Sequence, residues 1–182
     1  YSLVSIIAFS FLILFSCGVS KAQNYSVNNG KAIKLFEKAQ QAYQSKQLKQ
    51  AEQFLLDALE KENQFLEAKT LLGYVYLDQG EYSKAKEKFA SAAELNPRLM
   101  PNNLYFLAEL ELKDGEYENA EKHFRSFLSM DRTDPRMQGN ANSRLNNINF
   151  ALKAKKTPFT FEPKNLGPNV NSEYAEYFPC IT

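Results

Sequence analysis

The feature that most constrains the fold is a repeat with a period near 34 residues. The segment that begins at Leu71 overlays the segment that begins at Tyr105, and both contain Gly-Glu-Tyr, at 80–82 and 115–117. An alanine recurs with the same period, at positions 51, 85 and 120. A period of this length is typical of helix hairpins that stack on one another, because one hairpin alone buries only part of its apolar surface. The repeat therefore predicts an all-α protein.

The pattern within each copy resembles the tetratricopeptide repeat. The middle copy carries most of the family's signature, namely Leu72, Gly73, Tyr76, Ala85, Phe89, Ala92 and Pro97. The third copy keeps Ala108, Ala120 and Phe124 but has Glu111 in place of the tyrosine, and the first copy, which keeps Ala39, Ala51 and Ala58, is the most degenerate. The resemblance implies a right-handed αα-superhelix of three repeats, at about 31–64, 65–98 and 100–135.

Local signals agree with this interpretation. Gly80 and Gly115 supply breaks between helices. Beyond the repeats, apolar residues recur at helical spacing among polar ones, at Leu145, Ile148 and Leu152. A stack of repeats needs a terminal helix with a polar outer face, and we expect residues 136–156 to provide it.

Residues with catalytic potential are few. His123 is the only histidine, and because no cysteine or second histidine accompanies it, we expect it on the surface of a helix or partly packed. No phosphate-binding loop, metal-spaced cluster or nucleophile motif occurs in the sequence. Lys and Arg number 22 against 21 Asp and Glu, which does not favour a nucleic-acid partner. We therefore expect no enzyme, no cofactor, no metal and no small-molecule substrate.

The resemblance also implies a binding surface, since in this family the first helix of each repeat lines a concave groove. The matching positions are Phe36, Gln40, Tyr43, Thr70, Tyr74, Leu77, Asn102, Tyr105, Glu109 and Leu112. The three tyrosines recur every 31 residues, so they either form an aromatic ladder for a partner protein or pack between helices. The basic clamp of some chaperone-binding members is absent, because its positions hold Phe36, Gln40, Leu71, Asn102 and Phe106.

The first 22 residues are typical of an export signal, followed by a linker at 23–30. The apolar run Leu3–Phe15 is 13 residues long, too short to span a bilayer. Ser20-Lys21-Ala22 favours cleavage before Gln23, whereas Leu14-Phe15-Ser16-Cys17 resembles a lipobox in which Cys17 is lipidated, although Phe15 is bulkier than usual there. Either route predicts an exported protein.

Residues 157–182 form a tail of a different character. Pro158, Pro163 and Pro168 exclude a helix, and the segment between the first two indicates an extended strand. The tail resembles the join in exported Bacteroidetes proteins in which tetratricopeptide repeats precede a WD40-like (PD40) β-propeller and an OmpA-like peptidoglycan-binding domain. The matching stretches are Phe161-Glu162-Pro163, Asn165–Ser172 and Glu176–Pro179, while Cys180 departs from the usual serine.

This second resemblance implies a fragment of a periplasmic, outer-membrane-associated scaffold of the type linked to gliding motility and type IX secretion. Its groove would bind a partner protein, and peptidoglycan would be bound only through a downstream domain that the sequence lacks. Two alternatives stay open. One is a general exported adaptor or lipoprotein in outer-membrane assembly, and the other is the helical arm of an enzyme whose catalytic domain lies downstream.

Overall fold

The structure, a computed structural model, describes residues 24–131 and 133–157. Within these ranges it contains seven helices and no strand, which confirms the predicted all-α class. The helices are α1 (Gly30–Gln44), α2 (Leu48–Lys61), α3 (Leu66–Asp78), α4 (Tyr82–Leu95), α5 (Asn102–Lys113), α6 (Tyr117–Leu128) and α7 (Pro135–Lys156). None of these described helices combines the length and the apolar character that a membrane span requires. The predicted export signal, Cys17 and the tail from residue 158 lie outside the described residues.

Three of the turns between consecutive helices share one backbone conformation. Lys46, Gly80 and Gly115 follow α1, α3 and α5, and each has a positive φ, at 59°, 78° and 78°. At the first of these turns the Gln47 amide donates to the Ala42 carbonyl at 2.9 Å, the bond that closes a helix around a left-handed residue. The equivalence of the three turns places residues 42, 76 and 111 at the same position of their repeats.

The chain divides into two compact units, with the boundary between Gln79 and Gly80. In the first unit, α1 and α2 pack through the fully buried alanines Ala39, Ala51 and Ala58. Side chains this small let two helix backbones approach closely. Phe65 and Leu55, also fully buried, fill the remaining space of this core.

The segment before α1, predicted as a linker, makes specific contacts within the first unit. The Tyr25 ring meets Phe36 and Phe65 edge-on, with centroids 5.4 and 5.7 Å away. Ser26 Oγ accepts a bond from the Leu66 amide at 3.1 Å and so caps the first turn of α3, whose own N-cap residue supplies no side-chain bond. Asn29 Oδ1 accepts from the first two amides that follow Gly30 and caps α1.

The second unit has an aromatic core. Phe124 and Phe127 are fully buried, and the Tyr105 ring contacts both, at centroid distances of 5.7 and 5.4 Å. The long helix α7 begins at Pro135, capped by Asp134, and packs against this core through Ala141, Leu145 and Ile148, with Leu152 partly buried beside it.

The signature positions of the repeat are mostly interior. Gly73 is buried on α3 and Pro97 is partly exposed after α4. The others are almost completely excluded from solvent: Leu72, Tyr76, Ala85, Phe89, Ala92, Ala108, Ala120 and Phe124. These side chains therefore serve packing and offer nothing to a ligand.

Candidate functional site

The predicted groove residues differ sharply in exposure. Phe36, Thr70 and Tyr105 are buried, and Phe36 packs against Phe65 at a centroid distance of 4.9 Å. These three side chains pack beneath the surfaces of the first helices and are not accessible to a partner. The remaining positions are partly exposed: Gln40, Tyr43, Tyr74, Leu77, Asn102, Glu109 and Leu112.

In the first unit these residues form a patch with two tyrosines, Tyr43 on α1 and Tyr74 on α3. Burial, and then the neighbouring Tyr43, raises the pKa of Tyr74 from 10.0 to about 12. Burial also raises the pKa of Tyr43, and so does the hydrogen bond that its hydroxyl donates to Asp78. Lys46 Nζ completes the group, 3.7 Å from the Asp78 carboxylate and 5.7 Å from the centre of the Tyr43 ring. The patch therefore offers fixed aromatic faces with a polar edge.

In the second unit the predicted groove positions of α5 are engaged by the capping helix. Arg144 Nε donates to Glu109 Oε1 at 3.0 Å, and the Tyr105 hydroxyl bonds to Glu109 and Asn140. Burial is the main cause that raises the pKa of Tyr105. Asn102 and Leu112, the other two predicted groove positions on α5, are partly exposed. Among the described residues they form no hydrogen bond to α7. The accessible tyrosines of the predicted ladder thus belong to the first unit.

A cleft of about 510 Å³ opens on the other face of α5. Leu104, Leu107 and Glu111 line it, and these three alternate along α5 with the predicted groove positions, so they project from the opposite side of the helix. The rest of the lining comes from α4, α6 and the residues that follow them: Ser83, Lys86, Glu87, Ala90, Ala93, Glu94, Pro97, His123, Ser126 and Met130.

A hydrogen-bonded pair of titratable side chains lies in the lining of this cleft. His123 Nδ1 is 2.7 Å from Glu111 Oε2, and the two side chains are 24% and 7% exposed. His123 is partly packed, one of the two positions expected from the sequence. Groups of three or more metal-ligating side chains are not found in the described ranges.

Comparisons with known proteins identify the repeat. Residues 76–140 match the tetratricopeptide repeat family. The Yersinia enterocolitica type III secretion chaperone SycD in complex with a peptide of the translocator YopD has a TM-score of 0.60 and 18% identity, over 70% of this chain and 98% of that one. The described chain therefore has the fold of a tetratricopeptide-repeat (TPR) domain. No curated protein sequence matches it.

Two further similar structures are also complexes. The first TPR of Spaghetti (RPAP3) bound to the HSP90 peptide SRMEEVD has a TM-score of 0.59 and 17% identity, over 70% of this chain and 97% of that one. PcrH in complex with the chaperone-binding region of PopD has a TM-score of 0.59 and 16% identity, over 71% and 99%. At these identities the likeness establishes the fold alone.

Within this TPR domain the cleft is the feature that sequence reasoning missed. The sequence shows that Glu111 replaces the signature tyrosine and that His123 is the single histidine. It does not show that the two side chains are bonded. A carboxylate at a position that is buried in the other repeats requires a partner. His123, 12 residues later on the next helix, was the candidate that this requirement pointed to.

Proposed function

We propose that the chain is a non-enzymatic protein-interaction module whose first-helix surface in the first unit binds a segment of a partner protein. The observation that carries the proposal is the partly exposed tyrosine pair on α1 and α3, of which Tyr43 is held by Asp78 and Lys46, in a repeat domain with the TPR fold. Rigid aromatic side chains provide large contact area at little cost in conformational entropy. Three structurally similar TPR proteins hold peptides, which is consistent with this use of the fold.

We further propose that the module acts in the bacterial envelope, as the repeat region of a PD40- and OmpA-containing scaffold of the type IX secretion and gliding type. The supporting features are the apolar run at 3–15 and the dense motif at 161–179. Peptidoglycan would be contacted through a domain downstream of residue 182. The general exported adaptor and the arm of an enzyme are the alternatives.

The binding surface is tested by a photo-reactive amino acid placed at Gln40 or Leu77, both partly exposed on the proposed surface. The control position is Gln53, which is exposed on α2. We expect a partner to be crosslinked from Gln40 and Leu77 but not from Gln53, and the crosslink to weaken when Tyr43 is replaced by alanine. Equal crosslinking from all three positions would show that this surface does not bind the partner.

The envelope assignment is tested by the reading frame beyond codon 182 and by fatty-acid labelling. An OmpA-like domain downstream supports the scaffold, an early stop codon supports the adaptor, and a Gly-x-Ser-x-Gly motif supports the enzyme. Loss of fatty-acid labelling in Cys17→Ser supports the lipoprotein route. A wild-type chain that never labels supports cleavage before Gln23.

A further inference from the structure

The cleft in the second unit is lined by Glu111, which stands where the third repeat lacks the signature tyrosine. Tyr76 is almost fully buried at the equivalent position of the middle repeat. Glu111 is a smaller side chain, and it turns toward His123 instead of filling the space. Ala93, Leu104, Leu107 and the other apolar residues around it are left as the walls of an open cavity.

The charges around this cavity are unequal. Its lining contains three carboxylates, Glu87, Glu94 and Glu111. Glu87 is bound to Lys88 at 2.7 Å and Glu111 to His123 at 2.7 Å. The Lys86 ammonium already donates to both Asp114 and Glu116, and the hydrogen bond to Asp114 is the main cause that raises its pKa. Its charge is therefore neutralised locally, and Glu94 is the carboxylate of the lining that has no partner among the described residues.

Glu94 and His123 are among the polar side chains that remain available to a ligand. Glu94 is exposed and forms no hydrogen bond or ion pair with any described residue. His123 uses Nδ1 for Glu111, and its Nε2 has no hydrogen-bond partner within the described ranges. Nearby in sequence, Leu95 and Leu99 expose apolar side chains on either side of Pro97, which itself lines the cleft. The apolar surface thus extends beyond the cavity.

We propose that this cleft is a second docking site, which receives an arginine or lysine side chain from an apolar segment of a partner protein. The aliphatic part of the side chain packs against Leu104, Leu107 and Ala93, and the cationic head faces Glu94. A long basic side chain is the residue type that combines an apolar stem with a positive end. The exposed leucines favour a protein segment over a free cation. The site is independent of the tyrosine patch, which lies in the other unit.

The test uses three blocked helical peptides of alanine and leucine that differ only in one central residue: arginine, its neutral isostere citrulline, or glutamate. Binding is followed by NMR, through the backbone amides and the imidazole of His123, which is the chain's only histidine and gives one set of ring signals. We expect the arginine peptide to shift the His123 ring and the amides of the cleft residues, with a Kd at least about fivefold below that of citrulline. Equal Kd values for arginine and citrulline, or no shifts at the cleft, would overturn the proposal.

Two variants locate the effect. Glu94→Gln should weaken binding of the arginine peptide by about two- to fivefold and leave the citrulline peptide unchanged, whereas Glu118→Gln, on the exposed face of α6, should change neither. Glu111→Tyr restores the signature residue and should abolish binding by filling the cleft. If Glu111→Tyr does not fold, the Glu94→Gln and Glu118→Gln pair still decides the outcome, because equal effects of the two would contradict the site.

Discussion

The first and third repeats both lack the signature tyrosine, and they replace it in different ways. The first repeat has Ala42, and a cleft of about 270 Å³ beside it is lined largely by polar side chains such as Gln41 and Gln47. The third repeat has Glu111, whose buried carboxylate is bound to His123. A small residue leaves space that water can fill, while a charged residue must bring a partner with it. The position that lacks the tyrosine therefore borders a smaller cleft with a largely polar lining in one unit and a larger cleft with apolar walls in the other.

We expect Tyr76, the signature tyrosine of the middle repeat, to contribute strongly to packing. Tyr76→Ala should lower the free energy of unfolding by about 3–5 kcal/mol, because it empties the site of a buried aromatic ring. Urea denaturation followed by circular dichroism measures this loss. Tyr76→Phe keeps the ring and should cost much less. A similar cost for both variants would mean that the hydroxyl, rather than the ring, stabilises this position.

The ion pair in the third repeat gives the next largest effect. His123→Ala should destabilise by about 1.5–3 kcal/mol, because the Glu111 carboxylate stays buried without its hydrogen bond. In a Glu111→Gln background the same substitution should cost much less, since no charge is left unpaired. Urea denaturation of the four proteins in this cycle gives the coupling energy. If His123→Ala costs the same in both backgrounds, the pair contributes no coupling.

The turns provide a smaller test of the equivalence between repeats. Lys46 holds the left-handed conformation that Gly115 holds in the third repeat, at a cost of about 1 kcal/mol for a residue with a side chain. Lys46→Gly should therefore be about 1 kcal/mol more stable than Lys46→Ala, both having lost the ion pair with Asp78. Gly115→Ala should be about 1 kcal/mol less stable than the wild type. This cost comes from the backbone, since an added Cβ meets no atom within 4 Å. Thermal unfolding measures both differences, and equal stability of the two Lys46 variants would argue against strain at this turn.

The last test concerns the tyrosine patch of the first unit. Tyr74 has a pKa raised from 10.0 to about 12, so the folded state holds its proton more tightly than the unfolded state. The stability associated with Tyr74 is fully present below pH 10 and is lost between pH 10 and 12. Titration of phenolate absorbance in the wild type and in Tyr74→Phe should differ by one tyrosine that ionises near pH 12. A difference spectrum that titrates near pH 10 would contradict this pKa.

Much of the fold was predictable from the sequence because its determinants are local or periodic. The alanines at 51, 85 and 120 and the glycines at 80 and 115 carry the repeat, and each lies where the structure needs a close approach or a left-handed turn. The exposure of the groove positions was less predictable. Whether a tyrosine such as Tyr105 faces solvent depends on neighbours that come from α7, which its own repeat does not encode.

The contacts that sequence reasoning missed join residues without any periodic relation. Ser26 and the amide of Leu66 are 40 residues apart, and no pattern in the chain links them. In the sequence, Glu111 departs from the signature tyrosine and His123 is the only histidine. Neither fact identifies the other residue as its partner unless the burial of the carboxylate is known. The cleft is lined by both residues, so it could not be predicted before the positions of the helices were known.

The capping of α3 by Ser26 has a consequence for the order of folding. Because the segment at 24–29 bonds to residues some 40 positions later, its loop closes at a greater entropic cost than the local turn between α1 and α2. We expect it to dock after the first three helices have packed, and to detach before them when the unit opens. The export signal predicted for residues 1–22 directly precedes this segment. The segment at 24–29, which follows the predicted export signal, is thus also the part of the first unit that we expect to fold last.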